Sequence, residues 1–159
     1  MNVHDARFKY DDLAYLTDSQ AKELSNVEVR SLDVLLNITG ASVARSCVVP
    51  YDVLPARVNQ HVAIVRPVQD KLDSYFLNAM FISGSYKRLL LNLGDSNGAT
   101  RQAITKGQIE NLALPLPPIG EQRKFAAFMA EVDKSELTLR ETVATLDQLY
   151  RAKLQEYFG

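Results

Sequence analysis

Cysteine is nearly absent from this chain, and so is histidine. Cys47 is the only cysteine among 159 residues, which rules out an internal disulfide and a cysteine-rich metal site. Its surroundings, Ser46-Cys47-Val48-Val49, are apolar and suit a buried, inert thiol rather than a nucleophile. The two histidines, His4 and His61, lie far apart and fit no metal spacing such as H-E-x-x-H. No run of about 18 apolar residues occurs, so no membrane-spanning helix is expected. Residues 1–7 lack the basic-then-apolar pattern of an export signal, and a cytoplasmic location is the expectation. Without export, Asn37-Ile38-Thr39 is a chance match to a glycosylation sequon.

The catalytic motifs are missing as well. There is no G-x-G-x-x-G, and Gly94 and Gly98 have the wrong spacing, with no lysine following, to cradle a phosphate. No lysine has an acidic residue two positions before it, which excludes the (D/E)-x-K triplet of metal-dependent nucleases. Pro117-Pro118 follows Leu116, which cannot hydrogen-bond an exocyclic amine as the asparagine of an N-P-P-(F/Y) methyltransferase pocket does. A non-catalytic protein is expected, with no cofactor and no metal.

What is present is organised in two parts. Short apolar or alternating segments at 27–30, 34–39, 43–49 and 61–66 read as strands, the second broken by Gly40 and the last stopped by Pro67. Residues 13–24 read as a short helix capped by Asp11 or Asp12, and 73–93 as a longer one that Gly84 breaks or bends. A polar turn over 94–100 follows, then a helix from Thr105 to Asn111 and a last strand over 112–116. The prolines at 115, 117 and 118 stop the head, and everything beyond is helix-permissive. The fold class is α+β: a small head of short strands and helices, residues 1–116, followed by a long coiled-coil-type helix, residues 117–159.

In that helix Phe125, Met129, Val132, Leu139, Val143, Leu146, Tyr150 and Tyr157 keep a repeat of seven, interrupted only by Glu136 and Lys153. A strict seven, rather than a drifting 3.6, keeps an apolar seam facing another helix along its length. The seam therefore calls for a partner helix, most simply a second copy of the chain, or else for folding back onto the head.

Charge is uneven although the net value is −1. Residues 1–33 carry four basic against seven acidic side chains, while residues 41–107 carry eight basic against four acidic. A positive middle permits a phosphate backbone without requiring one. Two polar groups lie in or near it: Asn59-Gln60-His61 with Arg66, and Ser96-Asn97-Gly98-Ala99-Thr100-Arg101-Gln102. Asn and Gln match adenine edges and Arg matches guanine, but such loops are also ordinary solvated turns.

The order of parts resembles one half of a type I restriction–modification DNA specificity subunit. The likeness rests on Leu32-Asp33-Val34-Leu35-Leu36-Asn37-Ile38-Thr39-Gly40-Ala41-Ser42, on the stretch from Val58 to Pro67, and on Gly98-Ala99-Thr100-Arg101-Gln102-Ala103-Ile104. Most specific is Leu-Pro-Leu-Pro-Pro-Ile-Gly-Glu-Gln, residues 114–122, which matches the family's junction between recognition domain and spacer helix.

The resemblance implies a target recognition domain that reads one half of a bipartite double-stranded DNA site, without an active site of its own. It also implies docking to an adenine-methylating modification subunit and, in the full complex, to a restriction subunit. Full specificity subunits carry two recognition domains and two antiparallel helices, so one of each suggests a half-subunit or a truncated product, with N-terminal strands expected to be missing. DNA contacts are expected at Arg45, Asn59, Gln60, His61, Arg66, Ser96, Asn97, Thr100, Arg101, Gln102 and Lys106. The rival readings are a protein-interaction module unrelated to DNA and a non-functional fragment.

Overall fold

The computed structural model describes residues 2–95 and 103–159, and among these it places seven strands and five helices. In chain order they are β1 (Val3–His4), β2 (Arg7–Phe8), α1 (Asp18–Glu23), β3 (Glu28–Val29), β4 (Val34–Asn37), β5 (Ser46–Val48), β6 (Ala56–Arg57), β7 (Val62–Val65), α2 (Ser74–Ile82), α3 (Gly84–Asp95), α4 (Lys106–Glu110) and α5 (Ile119–Phe158). The chain divides into two units, Met1–Gln122 and Arg123–Gly159.

The first unit is built around β4, whose four residues are all buried. A strand can be buried throughout only where both faces of its sheet are covered. β5 and β7 flank it, both antiparallel, with Leu35 opposite Cys47 on one side and Ile64 on the other. Val34 and Leu36 point to one face, where they meet Val43, Leu77, Phe81, Leu90 and Ile104 beneath α2 and α3. Leu35 and Cys47 point to the other, against Val3, Val29 and Val49. Period-two alternation on a buried strand therefore generates two cores, and each large side chain enclosed contributes about 1.5–3 kcal/mol.

The helix expected over 13–24 is shorter and starts later. Thr17, not an aspartate, is its cap, and with Gln20 it forms a capping box in which each side chain bonds the other's backbone N–H. The long helix expected over 73–93 is two helices that meet at Ser83, one residue before the glycine held responsible. Ser83 leaves the helical region (φ −62°, ψ 148°), and its hydroxyl donates back to Met80 O at 2.7 Å while its carbonyl accepts from Lys87 N at 2.8 Å. One serine thus closes α2 and opens α3.

The strand expected over 43–49 is cut to Ser46–Val48 by a bulge. Asn37 faces two residues there, accepting from Ala44 N at 2.8 Å and donating to Arg45 O at 2.9 Å. Ala44 sits at φ 64°, the left-handed conformation such bulges use. Residues 112–116 form no strand: Leu112 and Leu114 pack on the core, but prolines at 115, 117 and 118 remove the donors a ladder needs. Strands β1, β2 and β6, each two residues long, carry too little periodicity to read from sequence.

The second unit is helical from Arg123 to Phe158 within α5. Pairs at 136/140 and 147/151 form ion pairs four residues apart, and hydroxyls of Ser135, Thr138, Thr142 and Thr145 each bond a carbonyl four residues back.

Candidate nucleic-acid interface

Among the described residues, the far end of β4 gathers Arg45, Asn59, Gln60 and His61. Asn37 ends the strand, paired to Val62 on one side and to the bulge at Ala44 and Arg45 on the other. Asn59 turns the chain into β7: its Oδ1 accepts from His61 N at 3.0 Å and its carbonyl from Val62 N at 3.1 Å. Asn59 is therefore a turn-former, as asparagine does by mimicking a backbone carbonyl. It leaves Gln60 exposed at the sheet end, with its Nε2 3.4 Å from His61 Nε2. The other ring nitrogen of His61 lies 2.7 Å from Thr39 Oγ1.

A third segment arrives at the same place. Thr39 pairs with Ala103 in an isolated bridge, Ile104 N donates to Ile38 O at 2.8 Å, and Ala103 N donates to Gly94 O at 3.2 Å. Ser96, Asn97, Thr100, Arg101 and Gln102 lie outside the described residues, but Gly94 and Ala103 on either side of them are bonded together beside His61's partner Thr39. Lys106 follows on the first turn of α4, its side chain 88 % exposed and its ammonium loosely paired to Glu110 at 3.5 Å, an interaction worth little in water. Arg45 turns towards His4, with Nη1 3.4 Å from His4 Nδ1.

Arg66 stands apart. It follows the other end of β7 and grips Asp33 with two parallel bonds, Nε to Oδ1 and Nη2 to Oδ2, both 2.7 Å. Nη2 also donates to Glu28 O at 3.1 Å. Asp33 is wholly buried and additionally accepts from Arg30 N at 2.6 Å. The bonds to Asp33 push the Arg66 guanidinium further up from its already high value. The fork that could read a guanine is here committed to a buried carboxylate.

Two contributors were not legible beforehand: Thr39, an ordinary strand residue until His61 is seen beside it, and Gln122, a polar residue that is fully buried. Gln122 Oε1 accepts from Asp73 N at 3.0 Å, and its Nε2 donates to Lys71 O at 3.0 Å and Pro117 O at 2.8 Å. Asp73 is itself the cap of α2, so the first turn of α5 is riveted to the start of that helix.

In the helical unit Phe125, Val132, Leu139, Val143, Leu146, Tyr150 and Tyr157 are exposed and Met129 is half-buried. Leu154, four residues beyond Tyr150, joins their stripe. Among the described residues no cluster of three or more His, Cys, Asp or Glu could hold a metal, and no helix is long and apolar enough to cross a membrane.

Two relatives bear on these features. The chain is 18 % identical over 158 residues to a protein of Methanocaldococcus jannaschii named as a type I restriction enzyme MjaX specificity subunit, and covers 37 % of its length. It superposes with a TM-score of 0.59 and 29 % identity on a chain from a structure of type I R-M complex assembly and conformational transition. That match takes in 81 % of this chain and 31 % of the other, so this sequence spans about a third of the proteins it resembles. The family model described as type I restriction modification DNA specificity domain matches residues 15–148, and the chain belongs to that family.

Proposed function

We propose that this domain reads one half of a bipartite double-stranded DNA site for a type I restriction–modification complex and docks its adenine methyltransferase subunit. The domain performs no chemistry itself; modification, and restriction where a restriction subunit joins, belong to its partners. The reading is supported above all by the convergence at one sheet end of Gln60, His61, Arg45 and Ala103, the last bonded both to Thr39 and to Gly94. Gln60, His61 and Arg45 are able to bond base edges or phosphates and are not in the buried core. Arg45 and Lys106 serve the phosphates in this account, while Gln60, His61 and side chains of 96–102 serve the bases. Arg66 braces the sheet through Asp33. The apolar stripe of α5 pairs with a second helix, supplied by another copy of the chain or another recognition domain.

The test is selection from a randomised duplex library by the chain together with its modification subunit. One gapped motif should emerge, its binding should weaken steeply with salt as phosphate contacts require, and Arg101→Ala or Gln60→Ala should change the motif. A complex that forms but enriches no motif would make the chain an interaction module instead.

A further inference from the structure

Thr39 is held more firmly than its position at a strand end suggests. Its backbone is extended (φ −141°, ψ 154°) and bridges to Ala103. Its neighbour Ile38 donates to His61 O at 2.9 Å and accepts from Ile104 N at 2.8 Å. A β-branched side chain on a fixed backbone has few χ1 positions open to it, so the Thr39 hydroxyl is a fixed point. His61 is equally fixed in its main chain, donating to Asn59 Oδ1 at 3.0 Å and accepting from Ile38. Only the ring's rotation is left, and the hydroxyl, 2.7 Å from Nδ1, takes it away.

The same bond links the roles of the two ring nitrogens. In a neutral imidazole one nitrogen donates and the other accepts, so the role Nδ1 takes towards the hydroxyl dictates what Nε2 offers. Nε2 is the nitrogen on the side of exposed Gln60. We infer that Thr39 is a positioning residue for base recognition: acting through His61, it fixes the ring plane and so the direction in which Nε2 meets a base edge. This inference rests on the sheet end being the DNA-reading surface.

The experiment uses the full chain with its modification subunit and a double-stranded DNA library randomised across the half-site. His61→Ala should relax preference at one or two positions. Thr39→Val keeps the branched shape without the hydroxyl and should relax those same positions, by about fivefold, the scale of one neutral hydrogen bond. In the His61→Ala background Thr39→Val should add nothing, since the two residues act as one unit. Thr39→Ser should restore selectivity, and the salt slope should not move in any variant. The ring nitrogen resonances of His61 should shift in Thr39→Val and return in Thr39→Ser, a signature that lost packing alone does not give. If His61→Ala relaxes the motif while Thr39→Val leaves it unchanged or relaxes other positions, the positioning role is overturned and the DNA reading stands. If the wild-type chain enriches no motif, both are overturned.

Discussion

Asp33 is wholly buried and ionic, a combination that costs several kcal/mol unless its partner is in place. Removing that partner by Arg66→Ala should destabilise the fold by about 2 kcal/mol, less than for a fully buried pair because the Arg66 side chain is 42 % exposed. Urea unfolding measures the loss, and Arg66→Lys should recover little of it, since an ammonium cannot reproduce the two-bond fork. A midpoint unchanged by Arg66→Ala would show that Asp33 does not depend on the pair. Cys47 makes a prediction of opposite character. Burial pushes its thiol up from 9.0 to about 12, so the folded protein keeps a proton that the unfolded chain gives up. Its contribution is therefore fully present below the ordinary thiol value and declines as pH climbs from there towards about 12. At about pH 8 the native thiol should resist a labelling reagent and react once urea unfolds the chain; rapid native labelling would contradict the burial.

Gln122 makes the first turn of α5 part of the head's own bonding. Gln122→Leu keeps the volume but strands Asp73 N, Lys71 O and Pro117 O, and should cost about 2–3 kcal/mol at the unit's unfolding transition. A loss near zero would mean that water replaces those bonds freely. The glutamine was visible in the sequence only as the last letter of a family junction; nothing local marks a polar side chain that two distant backbone groups and nearby Pro117 O will bond. Other elements were legible to different depths. The central strand was legible over 34–39 from Val34, Leu35, Leu36 and Ile38, and the α4 helix from Thr105 as its cap, while Gln108 completes a capping box there. A capping box also forms at Thr17 and Gln20, where nearby Asp11 and Asp12 compete as cap candidates in the sequence. Gly84 drew the break away from Ser83, whose hydroxyl and carbonyl do the work. For the candidate interface, residue types pointed to Gln60 and His61, but their convergence with Thr39 and Ala103 depends on pairings across 22 residues or more, which no local pattern encodes.

The chain as a whole carries a net charge of −1 with its basic excess in the middle, and a long apolar stripe on α5 whose members are mostly exposed. On the proposed reading that stripe is a pairing surface. Sedimentation at micromolar concentration should give a dimer, and Val143→Asp at the seam should return a monomer. A clean wild-type monomer would remove the second copy from the account. A dimer brings together two identical half-site readers, so the selected DNA should be palindromic about its gap. The claim beneath all of this is that the sheet end reads bases. It is tested most directly by the ratio of affinities for the selected duplex and a scrambled one, compared between the wild-type chain and Gln60→Ala at several salt concentrations. The account predicts that Gln60→Ala lowers the ratio about tenfold, the scale of one base contact, with the salt slope preserved. An unchanged ratio would contradict it.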